Sequence, residues 1–243
     1  MMILGVIPAR FASTRFPGKP LVEIGGRSMI QRVYEQALKS ERLNKVVVAT
    51  DDERIFEHVR AFGGEVSMTR PEHPSGTDRC AEISKAFPEA EWVVNIQGDE
   101  PFIQPQQIDL LIDTLLAPGS PGIATLAKKI ESVEALDNPN IVKTVLSSTG
   151  EALYFSRFAI PYMRGVPAEQ RLERHDFYKH IGLYGFHKTI LQQITALAPA
   201  TLEKAESLEQ LRWLENGYRI AVRITDMETI GIDTPEDLEK LAL

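Results

Sequence analysis

Along the first half of the chain, short apolar runs alternate with longer stretches in which apolar residues recur every three or four positions. "MILGVIPA", "KVVVATD", "GEVSMT" and "EWVVNIQGD" are of the first kind, and "SMIQRVYEQALKS", "DERIFEHVRAFGG", "SGTDRCAEISKAF" and "PQQIDLLIDTLL" are of the second. Continuous β-branched runs suit strands buried on both faces, and the helical period suits helices laid against them. The alternation predicts β-α-β units, hence an α/β fold with a mainly parallel sheet flanked by helices. In open sheets of this kind ligands bind beyond the carboxyl ends of the strands. The polar residues directly after each strand are therefore the candidates for chemistry.

The rhythm changes after the turn-rich "APGSPG" at 117–122. "KTVLSSTGEALYFSR", Lys143 to Arg157, reads as a hairpin turning near Ser148 to Gly150, and "HIGLYGF", His180 to Phe186, as a further strand. We therefore expect a smaller, more antiparallel subdomain at 129–186, inserted into an α/β domain made of 1–128 and 187–243. The later helices and the strand "RIAVRIT" return to that domain.

With 243 residues the chain can bury roughly 70 to 75% of its unfolded surface. Its net charge of −7, with no long basic run, argues against general affinity for nucleic acid or anionic membranes. Any anion site must be local. The single cysteine, Cys80, excludes an intrachain disulfide and a cysteine-rich zinc site, and its place in an amphipathic stretch marks it as a packing residue. No run reaches the roughly 20 apolar residues that span a membrane. The chain enters its first strand without a basic leader or a cleavage site, so a cytoplasmic protein is expected.

One local basic stretch does follow the first strand. "VIPARFASTRFPGKPL" places Arg10, Arg15 and Lys19 in one loop before any acidic residue. It is not a Walker loop, because Ser13 and Pro20 stand where glycine and Ser/Thr are needed, and no G-x-G-x-x-G follows the strand. It still offers what a polyphosphate requires: a glycine, small hydroxyl side chains and three cations on a loop stiffened by proline.

At the end of the fourth strand, "VVNIQGDEP" sets Gln97, Gly98, Asp99 and Glu100 at the same sheet edge, and "ETIGIDTPEDL" offers Asp233. Two aspartates facing a cationic loop suit a Mg²⁺–nucleotide site, although an Asx turn explains Asp99 alone and helix capping explains Asp233 alone. In "HPSGTDR", Ser75 and Thr77 can cap the next helix while Gly76 lets a base approach the backbone and Arg79 adds a cation.

Together these elements resemble one family, the cytidylyltransferases that activate 3-deoxy-D-manno-octulosonate (Kdo). The matching text is "IPARFASTRFPGKPL", "VATDDERI", "SGTDR", "NIQGDEP", "NPNIVK", "ALYFSR", "HIGLYGF", "LEQLR" and "GIDTPEDL", in family order from end to end. The resemblance implies a Rossmann-like nucleotidyltransferase fold and transfer of CMP from CTP to Kdo, with release of pyrophosphate, for lipopolysaccharide biosynthesis. It implies that Ala9, Arg10, Arg15, Lys19, Ser75, Gly76 and Arg79 meet the nucleotide, and that Asp99 and Asp233 hold Mg²⁺. Arg15, Lys19 and the two aspartates are the expected catalytic group. The sugar acid is expected to meet Gln97, Arg157, His180, Tyr184, Glu209 and Gln210, and the chain to pair as a homodimer through the inserted region.

Bland readings stand beside these. His180 and Tyr184 lie four apart on one strand and suit a core, and Glu209 with Arg212 suits a helical ion pair. Asp78 stands where the family commonly has Glu, and Phe11 where it often has Tyr. The rival functions are a cytidylyltransferase for another acidic sugar (an amino derivative of Kdo or a nonulosonate), a non-catalytic nucleotide-binding protein, and a dehydrogenase, the last disfavoured by the missing glycine fingerprint.

Overall fold

The β-branched runs form strands wherever both of their faces find helices. In the computed structural model, which describes residues 1–12, 16–228, 231–232 and 234–239, β1 (Met2–Ala9) lies at the centre of the sheet. The two-residue strands β2 (Glu23–Ile24) and β3 (Arg27–Ser28) form a separate ribbon. β1 pairs in parallel with β4 (Lys45–Thr50) on one side and β6 (Ala90–Asn95) on the other, and β5 (Val66–Met68) extends the β4 edge. Beyond β6 come β10 (Tyr178–His187), β7 (Ile123–Lys129) and β11 (Ala221–Ile224). Only β10 runs antiparallel among these seven, so the expectation of a mainly parallel sheet holds.

Period-2 alternation divides the strands between two cores. Ile3, Ile7, Val46, Val48 and Val94 face α1 (Met29–Ala37), α2 (Glu53–Ala61) and α4 (Pro105–Leu115). Leu4, Val6, Val47, Ala49 and Val93 face α3 (Gly76–Ala86), α7 (Lys188–Ile194) and α9 (Gln210–Glu215). Cys80 is buried in the second core, as its helical position predicts. The chain leaves β1 toward β4 and β5 on one side and then returns to place β6 on the other. The crevice beyond the ends of β1 and β6 is thus the topological switch point.

The hairpin is also where the sequence places it, with β8 (Lys143–Leu146) and β9 (Ala152–Ser156) joined by a turn through Gly150. α5 (Val133–Asp137), α6 (Arg171–Arg174) and Phe177 close a small core over Ile130. The segment 129–186 is nevertheless not a detached unit. β10 starts beside β8 at Tyr178 and Lys179 and continues between β6 and β7, so the strand assigned to the insertion belongs to the main sheet. Fully buried Lys143 ties the region together by donating to the carbonyls of Asn138 (3.0 Å) and Arg157 (2.5 Å). α8 (Thr201–Glu206) precedes α9, and α10 (Pro235–Glu239) follows the sheet.

Trp213 anchors α9 against β10. It is fully buried, with its ring edge-on to Tyr184 at 5.1 Å and to Phe186 at 5.4 Å. Trp213→Ala should cost about 3–5 kcal/mol of stability, as large aromatic deletions do in packed cores, measured by urea unfolding. A loss below about 0.5 kcal/mol, within the range of surface substitutions, would show that α9 docks by other means.

Candidate active site

The loops after β1 and β6 meet at the switch point because residue 98 carries no side chain. A Cβ on Gly98 would stand 2.7 Å from the carbonyl oxygen of Pro8. This contact fixes Gln97 and Asp99 at the rim, where they are shared by two adjoining cavities of about 390 and 480 Å³. The smaller is lined by Ala9, Arg10, Lys19, Gly76 and Gly98, and the larger by His180, Lys179, Asn140, Glu100 and Glu228.

The smaller cavity is the cationic one. Gly18, at φ +72°, turns the chain back so that its N–H bonds Phe11 O at 2.9 Å. Lys19 then reaches across to Asp99, with Nζ 2.8 Å from Oδ2. Arg10 donates to the carbonyl of His73, and burial together with the nearby Arg79 charge lowers its pKa below the ordinary guanidinium value. Phe11 lies under Arg54, whose guanidinium carbon is 3.3 Å from the ring centroid.

Arg79 takes a different place from the one expected of it. It has no exposed surface and donates to Asp51 (2.6 Å) and Thr69, so it braces the end of β4 from beneath and presents nothing to a ligand. Ser75 caps α3 by accepting from Asp78 N at 3.2 Å, and its hydroxyl proton points to Asp78 Oδ2 (2.5 Å) or Glu209 Oε1 (3.0 Å). Thr77 donates to Glu209 Oε2 at 2.9 Å. Burial raises the Glu209 carboxyl above its ordinary value against these two hydroxyl bonds. Glu209 therefore ties α9 to the nucleotide-side loop.

Of the residues expected at the sugar, Gln97 and His180 line the larger cavity, whereas Arg157, Tyr184, Glu209 and Gln210 do not. Gln97 Nε2 donates to Gly182 O at 2.8 Å, inside a register shift of β10 between Ile181 and Tyr184. Tyr184 is buried in the aromatic cluster with Trp213 and Phe186, and Gln210 is buried as well. Arg157 is committed to backbone. It donates to the carbonyls of Glu206 (2.8 Å), Pro139 (3.2 Å) and Ser207 (3.4 Å), in a separate cavity. Arg15 and Asp233 lie outside the described residues. Even so, Ile232 N bonds Asp99 O at 2.9 Å, so the chain next to position 233 runs beside Asp99.

Lys179, Asn140 and Glu228 are lining residues that sequence reasoning missed. Asn140 lies within the "NPNIVK" match and Lys179 directly precedes His180, but neither signal assigned them a role.

A family model described as cytidylyltransferase matches residues 4–224. Curated relatives named 3-deoxy-manno-octulosonate cytidylyltransferase include one from Parabacteroides distasonis, 56% identical over 99% of this chain and 96% of its own length. Another, from Porphyromonas gingivalis, is 56% identical over 98% of this chain and 94% of its own. The chain belongs to the 3-deoxy-manno-octulosonate cytidylyltransferase family. A solved structure of CMP:2-keto-3-deoxy-manno-octonic acid synthetase complexed with CTP superposes with a TM-score of 0.91 at 42% identity, over 99% of this chain and 97% of that one. In this cytidylyltransferase the two cavities therefore sit on a fold shared with a CTP complex.

His180 is the member of the site with the most perturbed acid–base behaviour. Its imidazole is enclosed against Phe155 (5.0 Å) and Tyr184 (5.2 Å), and desolvation lowers its pKa to about 3. Thr125 Oγ1 lies 3.0 Å from His180 Nε2, 3.0 Å from Ile181 O and 2.8 Å from Leu183 O. A neutral ring suits this arrangement, with Nε2–H donating to Thr125 Oγ1 and the single hydroxyl proton going to one of the two β10 carbonyls. The folded-state pKa lies below the ordinary 6.5. The stability that the neutral ring contributes is thus complete above pH 6.5 and is lost as pH falls toward 3, with a slope of at most about 1.4 kcal/mol per pH unit. His180→Gln should flatten that part of the pH dependence of unfolding, and an NMR titration in which His180 protonates near pH 6.5 would contradict it.

Proposed function

We propose that the chain transfers the CMP moiety of CTP to Kdo, releasing pyrophosphate and forming CMP-Kdo. The observation that carries this reading is the pair of cavities joined at Gln97 and Asp99, one cationic and the other rich in hydrogen-bonding groups. CTP belongs in the first, with its phosphates toward Arg10 and Lys19, and the sugar acid belongs in the second, beside Gln97 and His180. The anomeric hydroxyl, giving up its proton to solvent, then approaches the α-phosphorus from the Asp99 side, and pyrophosphate leaves in line on the other as the α–β bridging P–O bond breaks. Lys19 neutralises charge that builds on the phosphoryl oxygens, and its bond to Asp99 holds the ammonium in place before substrate arrives. His180, neutral at physiological pH, serves to orient the sugar.

Mg²⁺ fits the donor set. Among the described residues no cluster of three His, Cys, Asp or Glu side chains could hold a metal alone. Mg²⁺ instead takes one or two carboxylates together with substrate phosphates and water. Asp99, with its side chain 32% exposed at the rim of both cavities, supplies such an oxygen, and Asp233 is the second expected ligand. When bound, the ion supplies charge neutralisation and makes the attacking hydroxyl more acidic.

Among the described residues no helix is long and apolar enough to cross a membrane. With two polar, anionic substrates we assign the reaction to the cytoplasm, in the supply of an activated sugar for lipopolysaccharide. The inserted region supports a homodimer. Phe158 (76% exposed) and Tyr162 (83% exposed) flank an apolar cavity of about 310 Å³ shared with Pro161 and Met163. Exposed aromatics of this kind are what a second copy covers.

Purified protein given CTP, Mg²⁺ and Kdo should release pyrophosphate faster than with a nonulosonate or 8-amino-Kdo, and Lys19→Ala should lower turnover by about 100-fold, the scale of one lost transition-state contact. Wild-type turnover with another acidic sugar but not with Kdo would overturn the substrate. Sedimentation should show a dimer that Phe158→Asp dissociates, and a monomeric wild type would refute the pairing.

A further inference from the structure

The larger cavity is proposed to take an acid, yet its described lining carries the carboxylates of Asp99, Glu100 and Glu228. With His180 neutral, Lys179 is the cation among those lining residues. Arg157, the arginine among the residues expected to meet the sugar acid, donates to three carbonyls elsewhere.

Lys179 is held in an unusual arrangement. It stands opposite Lys128 in the β10–β7 register, so two ammonium groups share one face of neighbouring strands. Like charges placed in this way repel unless an anion lies between them. Glu228 is that anion, with one carboxylate oxygen 2.5 Å from Lys128 Nζ and the other bonded to Lys179 Nζ. Burial opposes ionisation of Glu228, but the two lysine bonds hold its carboxyl below the ordinary value. Glu228 belongs to the irregular stretch after β11, and its side chain is 46% exposed. A half-exposed ion pair of this kind exchanges at little cost. Lys128 feels Glu131 and Asp226 as well, so it keeps anionic neighbours if Glu228 gives up Lys179.

We propose that Lys179 is the cation that receives the carboxylate of the sugar acid, and that Glu228 is the internal carboxylate the substrate displaces from it. The exchange trades one charge-assisted bond for another while Glu228 stays on Lys128. It makes Lys179 a residue that selects acidic over neutral sugars. This assignment rests on the functional reading above.

The test compares wild type, Lys179→Met and Glu228→Gln in pyrophosphate release with CTP and Kdo, using Kdo amidated at C1 as a competitive inhibitor. Loss of a charged hydrogen bond predicts that Lys179→Met raises the KM for Kdo about 10- to 100-fold. The KM for CTP should stay within about twofold, and the Ki of the amide should rise clearly less than the KM for Kdo, because the amide keeps an acceptor oxygen but not the charge. Glu228→Gln, which removes the competing charge, should lower the KM for Kdo. If Lys179→Met leaves the KM for Kdo unchanged, or weakens acid and amide equally, the assignment is wrong while the function stands. If Lys179→Met does not fold, an unchanged or raised KM in Glu228→Gln overturns it. Wild type without turnover on CTP and Kdo removes the functional reading, and the assignment falls with it.

Discussion

The site depends on how closely two backbones approach at the switch point. Because residue 98 is glycine, the loop leaving β6 rests against the carbonyl of Pro8 at the end of β1, and any side chain there would collide with main chain. That contact places Gln97 and Asp99 on the ridge between two cavities and lets Lys19 reach Asp99 from the opposite loop. A nucleotidyl transfer needs its two substrates on either side of one reacting phosphorus, within bonding distance. A ridge only two residues wide, built on the ends of rigid central strands, meets that need without a long loop to hold it.

Beneath the ridge lies a layer of buried and half-buried polar groups paired with one another. Arg79 is paired with Asp51 and Thr69, Glu209 accepts from Ser75 and Thr77, and Thr125 sits among His180 and the β10 carbonyls. Burying such groups is costly unless each finds a partner. Here the partners come from different elements, so satisfying them also fixes α3 against α9 and β10 against β7. The layer converts the sheet's packing into positions for the residues above it.

The segment around the 143–156 hairpin is tied to the wall of the larger cavity. Lys143 and Arg157 hold the carbonyls of Asn138, Pro139, Glu206 and Ser207, and the chain through 140–142 forms one wall of the larger cavity. Arg157 thus links that wall to the turn before Glu209. Its charge supports the shape of the cavity, and among the described residues the cation that lines it, Lys179, comes from β10.

The alternation of strands and helices, the hairpin at 143–156, and the placing of Arg10, Lys19, Gln97 and Asp99 at one sheet edge were legible in the sequence. Periods of 2 and 3.6 are local properties, and the end of a strand is local too. The tertiary structure alone decided which side chains line the two cavities. Tyr184, Arg79 and Glu209 belong to the quoted motifs yet turn inward, because their partners are Trp213, Asp51 and Thr77, reached only once the sheet has formed. Lys128, Lys179 and Glu228 converge for the same reason. Register across β7 and β10, with its shift between Ile181 and Tyr184, determines which residues stand opposite one another, and it depends on both strands together rather than on the pattern along one.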